Sequence, residues 1–182
     1  MLASNKSNLN KNKHKRGLNM PEIIPLGWFH TVCGILAIVV GAKSLFSHKV
    51  ISLATRSGLL YIILTVLTVA SSLAIYQHGG FNIAHLLGVF TLIAVAQGAV
   101  FERTNIMKGF SPYLQAASYS ATFLFHMIPA ITDGLRRLPV GDPFIDSLEH
   151  PILMQFYIAF LLAYIVGVAL QCRWIYKSTT NS

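Results

Sequence analysis

Hydrophobic residues in this chain gather in five long runs separated by short polar stretches, and each run approaches the ~20 consecutive apolar residues that one bilayer crossing requires. The runs cover 26–46, 57–76, 82–101, 113–132 and 152–171. None alternates apolar with polar residues in the way a strand of a closed barrel would. A helix satisfies its backbone N–H groups within one segment, so helices are predicted throughout. The pattern therefore predicts an all-α protein, a polytopic transmembrane helical bundle of about five spans. Its parts are a basic tail over 1–24, expected to be disordered, a helical domain over 25–177 and a short C-terminal tail over 178–182. Composition agrees with the pattern. With 54% hydrophobic and 11% charged residues, the chain is too apolar for an ordinary soluble domain.

The tail from Met1 to Asn19 carries Lys6, Lys11, Lys13, Lys15 and Arg16 and no acid. It has too little apolar content to fold by itself and its charge suits anionic lipid headgroups. It does not read as a signal peptide, because the run that follows is as long as a true span and no small-residue cleavage site closes a short core. Met20 is an alternative start, leading through Pro21 and Glu22 into the first span.

The fourth run is the least uniform. Gln115, Tyr119, Thr122, His126 and Pro129, with Asp133 beyond, step by three or four, which gathers them on one helical face. Ionisable residues inside a membrane-length segment point to function by default. Pro112 suits the start of that helix, and Pro129 is expected to loosen its last turns and free carbonyls near His126.

In the first span His30, Gly34, Ala37 and Gly41 share a face, and small residues there let another helix approach. In the third, His85 shares one with Gly88, Leu92 and Ala96, and Gln97 and Glu102 follow near its far end. The second span holds only hydroxyls as polar groups, Thr65, Thr68, Ser71 and Ser72, and is assigned to packing. The Gln77-His78-Gly79-Gly80 turn predicts an antiparallel hairpin of spans two and three. With no strand before it and no Lys or Ser/Thr signature after it, that turn is not a phosphate loop.

Asp142-Pro143 reads as a helix cap followed by a first-turn proline, predicting a short interfacial helix over 144–149. The two cysteines, Cys33 and Cys172, are too far apart in sequence to form a metal motif and are expected to be free thiols.

Alternation of the spans sets His30, His85 and, slightly deeper, His126 in one half of the bundle, with His78 and His150 at the same surface. Converging imidazoles can bind the iron of haem b or a transition metal such as copper or zinc. His30, His85 and His126 are the candidate cofactor ligands, with His150 a further candidate metal ligand. Tyr119, Thr122 and Asp133 are the candidates for orienting a ligand ring from behind. The alternative is that these histidines are structural and hydrogen-bonded to neighbouring helices.

The layout resembles the bacterial integral-membrane family catalogued as domain of unknown function 2306. The resemblance rests on His30 near the start of the first span, a basic first loop, and Arg56, Gly58 and Tyr61 at the opening of the second. It implies a compact multi-span bundle in the bacterial cytoplasmic (inner) membrane. By analogy with histidine-bearing b-type cytochromes and oxidase-assembly proteins, it also implies a role near redox or metal chemistry, and it supplies no catalytic residue. Two classes of function stay open: a haem- or metal-binding protein for electron transfer or metal handling, and a non-catalytic membrane subunit or small-molecule transporter. The expected partners are the lipid bilayer and a membrane protein or second copy of the chain, not nucleic acid. A membrane hydrolase is disfavoured, because Asp133, His126 and Ser118 form no convincing catalytic arrangement.

Charge decides the orientation only if the tail is set aside. The N-terminal side has 7 Lys/Arg with the tail and 2 (Arg136 and Arg137) without it. The opposite side has 7: Lys43, Lys49, Arg56, Arg103, Lys108, Arg173 and Lys177. Basic loops stay in the cytoplasm, so the core favours an outward N-terminal side. A fluorescent protein fused after Ser182 is then expected to mature in the cytoplasm and an alkaline phosphatase fused there to be inactive. The opposite pair of results contradicts this orientation.

Overall fold

A computed structural model describes residues 25–75, 80–104 and 106–180. The basic tail with His14 and Met20, and most of the 77–80 turn including His78, lie outside the described residues. Among the described residues five α-helices follow one another: α1 Pro25–His48, α2 Arg56–Leu73, α3 Ile83–Thr104, α4 Ser111–Arg137 and α5 Pro151–Thr180. A single 3₁₀ turn, Lys108–Phe110, precedes α4, and no strand occurs among the described residues. The fold is an all-α helical bundle.

By length and composition α1, α2, α3 and α5 can each cross a membrane. α4 has the length, 27 residues or about 40 Å at 1.5 Å per residue, but its polar stripe makes it less apolar. That stripe faces inward. Tyr119 and Thr122 are 0% exposed and His126 is 6% exposed, so the polar side of α4 lies at the centre of the bundle. α4 packs against α3, α5 and α1, while α2 packs against α1 and α3.

The two large buried rings, Tyr61 and Tyr119, are each seated against a glycine of a facing helix. A Cβ on Gly41 of α1 would stand 2.8 Å from the Tyr61 ring, and one on Gly98 of α3 would collide with the Tyr119 ring. Tyr61 also joins Ala37, Ile51, Ile62 and Tyr119 in the apolar core. The buried stripe of α3 runs through His85, Gly88, Thr91, Ala94 and Gly98, not through Leu92 and Ala96 as the sequence pattern predicts. Gly98 sets this register, since the Tyr119 ring fits only where α3 has no side chain.

Local signals account for the helix starts. Thr55 caps α2, its hydroxyl accepting from Gly58 N–H at 3.1 Å, and Pro112 sits in the first turn of α4. The expected helix over 144–149 does not form, and 138–150 is a chain of turns and bends. Ile145 is buried there and its N–H donates to the Leu135 carbonyl at 3.2 Å. The loop is thereby folded back onto the end of α4. α4 itself continues through Pro129 to Arg137.

Gly98→Ala is expected to destabilise the protein by about 1–3 kcal/mol, the usual cost of overpacking a core. Gly134→Ala, where a Cβ meets open space, is expected to be neutral or stabilising by up to about 1 kcal/mol. Denaturant unfolding in detergent micelles measures both, and equal effects would contradict this packing.

Candidate functional site in the bundle interior

α2 supplies the central row of polar groups. Tyr61, Thr65, Thr68 and Ser71 are all buried and follow each other at spacings of three or four, so they line the face of α2 that meets α1 and α4. Nε2 of His126 lies 3.0 Å from Thr65 Oγ1, and the Tyr61 hydroxyl lies 2.7 Å from Thr122 Oγ1. Nδ1 of His30 donates to the Thr68 carbonyl at 2.8 Å. Thr65 and Thr68 are one helical turn apart, so His126 and His30 meet neighbouring positions of α2.

At one end of this row the protons have a direction. Thr122 donates its hydroxyl proton to the Tyr119 carbonyl at 2.7 Å, so the Tyr61 hydroxyl donates to Thr122. Thr65 stands one turn from Tyr61 on the same buried face of α2, so the two hydroxyls lie between His126 and Thr122.

Tyr119 also belongs to a second group. Its hydroxyl donates to Glu102 Oε2 at 3.2 Å, and the Leu53 N–H donates to the same oxygen at 3.1 Å. The Ser52 hydroxyl donates to Glu102 Oε1 at 2.5 Å. Three donors from the α1–α2 loop and α4 therefore hold one carboxylate at the end of α3. Gln115 of α4 donates to the Ile51 carbonyl of the same loop at 3.2 Å. Each pairing satisfies a group that lipid would leave bare.

The candidate residues separate into those that join this network and those that do not. His30, His126, Tyr119 and Thr122 belong to it. His85 is buried at the start of α3, with Nδ1 3.0 Å from Asn82 Oδ1 and its ring against Phe81. His150 is exposed and its Nδ1 accepts from Ile152 N–H at 3.3 Å. Asp133 is exposed and pairs with Arg137 at 3.6 Å. Among the described residues no three of His, Cys, Asp and Glu gather closely enough to hold a metal ion. The cysteines Cys33 and Cys172 are free thiols.

Three members were not foreseen as site residues. Thr65 and Tyr61 lie on a span whose polar groups had been assigned to packing, although Tyr61, Thr65 and Thr68 already step by four and three. Glu102 stands at a helix end, where a solvated carboxylate is the usual expectation, and nothing local marks Ser52 and Leu53 as its partners. No family model, curated protein or solved structure matches this chain.

Proposed function

We propose that this membrane protein provides a proton pathway through its interior, as a non-catalytic membrane subunit or carrier in which protons pass between the His30–His126 pair and Glu102. The observation that supports it most is the buried row of His126, Thr65, Tyr61 and Thr122, with Tyr119 beyond it. Hand-over along the hydroxyls from His126 ends at Thr122, because the Tyr119 carbonyl accepts a hydrogen bond and does not relay a proton, so passage onward would need a water between Thr122 and the Tyr119 hydroxyl. Tyr119 lies within one turn of Thr122 on α4, with its hydroxyl on Glu102. Chains of titratable and hydroxyl side chains inside a bundle are how membrane proteins move protons. Glu102 stands at the end of α3 beside the basic α1–α2 loop, and His30 stands near the start of α1, so the two ends of the row lie toward opposite ends of the bundle.

A second reading is favoured by one geometric fact. Because Nδ1 of His30 donates to a backbone carbonyl, its Nε2 carries the lone pair, as in metal-ligating imidazoles oriented from behind. His30, with His126 one turn along α2 from it, would hold a haem or metal centre for electron transfer or metal handling, the chemistry implied by the resemblance to the domain of unknown function 2306 family. Two imidazoles without a third ligand support this reading less well than the buried polar row supports the first.

Reconstituted into liposomes under a potassium diffusion potential, the protein is expected to raise proton flux above protein-free vesicles. Tyr61→Phe, which removes one hydroxyl and keeps the ring, is expected to lower that flux by about tenfold, a barrier increase of about 1.4 kcal/mol. Flux equal to that of empty vesicles, or unchanged in Tyr61→Phe, overturns the proton pathway. A Soret band or stoichiometric metal lost in His30→Ala would establish the second reading instead.

A further inference from the structure

α5 buries little of itself: of its 30 residues only Leu153, Gln171 and Ile175 are buried. Between α1, α4 and α5 it leaves a groove of about 570 Å³, walled by apolar side chains that include Phe46, Phe123 and Phe160. That volume is within the range of natural small-molecule sites. Gly167 lies on its wall, and a Cβ there would meet nothing within 4 Å, so the groove is wide where α5 has no side chain. Gln171 accepts from Ser120 at 2.9 Å and donates to the Lys49 carbonyl at 2.9 Å, and the Tyr164 hydroxyl donates to the Ala117 carbonyl at 3.3 Å. With these groups engaged inside the protein, the apolar wall suits a hydrocarbon chain.

The mouth is different. Lys49 and Trp174 line the groove at the end where α1 closes, and Lys49 is exposed. One of its ammonium protons goes to the Phe46 carbonyl at 3.0 Å, leaving two for another acceptor. Lys43, Arg56, Arg103, Lys108, Arg173 and Lys177 belong to the same face of the bundle. The acid there, Glu102, is fully engaged with Ser52, Leu53 and Tyr119. An apolar slot thus opens beside a lysine on a strongly basic membrane face.

We propose that this groove is a binding site for an anionic phospholipid, one acyl chain lying between α1, α4 and α5 and the phosphate meeting the Lys49 ammonium. Zwitterionic lipid fits the walls equally well and gains less at the mouth, so the lysine sets the preference for headgroup charge. A lysine near an anionic surface is worth about 1 kcal/mol, which converts to about a fivefold preference.

The chain has two tryptophans, Trp28 and Trp174, so Trp28→Phe leaves Trp174 as the reporter at the mouth. The protein is placed in bilayers containing phosphatidylglycerol or phosphatidylcholine with brominated acyl chains, and quenching of Trp174 is measured against mole fraction. Brominated phosphatidylglycerol is expected to quench at about fivefold lower mole fraction than phosphatidylcholine. Lys49→Gln is expected to remove that difference without lowering quenching by phosphatidylcholine. Gly167→Leu, which fills the groove, is expected to weaken quenching by both lipids while helical content is retained. Equal quenching by the two lipids in the parent protein, or an undiminished preference in Lys49→Gln, overturns the proposal whether or not Gly167→Leu folds. A shift to dimer in Gly167→Leu with lipid quenching unchanged would assign the groove to a second copy of the chain and equally overturn it.

Discussion

A hydrogen-bonding group inside a bilayer must find its partner within the protein, because hydrocarbon offers none. α4 is where that constraint falls hardest. Its stripe of Gln115, Tyr119, Thr122 and His126 would be costly against lipid, so the helix occupies the centre and the other helices provide the answering groups. Thr65 and Tyr61 of α2 meet His126 and Thr122, Glu102 of α3 meets Tyr119, and the Ile51 carbonyl of the α1–α2 loop meets Gln115. Interhelical hydrogen bonds of this kind average about 0.6 kcal/mol each. Their larger effect is to exclude other arrangements, since rotating α4 would strand several groups at once.

Packing and polarity act together at the two buried tyrosines. Gly41 and Gly98 let the rings of Tyr61 and Tyr119 lie close to α1 and α3, which carries their hydroxyls to Thr122 and Glu102. A larger residue at either glycine would push the ring back and break the hydrogen bond beyond it. The basic end of the bundle is tied twice. Glu102 fastens the α1–α2 loop to α3 and α4, and Gln171 fastens α5 to the same loop and to Ser120. Between these ties α5 stands away from α1, leaving an apolar opening beside a closely paired polar interior. Tight polar contacts suit the hand-over of protons, and a loose apolar wall suits lipid.

Much of this architecture was legible in the sequence. Runs of membrane length predict the helices, and the three- and four-residue steps from Gln115 to His126 predict the inward face of α4, because helical periodicity is a local property. The groups that answer a polar residue on another helix are not local. The steps of Tyr61, Thr65 and Thr68 were visible, yet nothing in α2 alone distinguishes hydroxyls bonded to their own helix from hydroxyls aimed at His126. His30 and His126 are brought to one face because both reach α2. His85 is instead held at the start of its own helix by Asn82, a local cap that sequence depth does not reveal. The 138–150 loop, where a helix is expected, is instead packed onto the end of α4 through buried Ile145 and its bond to the Leu135 carbonyl, a contact the local sequence does not show.

His126 and Thr65 meet in the interior, 3.0 Å apart, and each satisfies a polar group of the other. A double-mutant cycle over His126→Ala and Thr65→Val, read from unfolding free energies in micelles, tests it most directly. The account predicts a coupling of about 0.6–1.7 kcal/mol, the range of interhelical hydrogen bonds inside membrane proteins. Strict additivity of the two substitutions would contradict it.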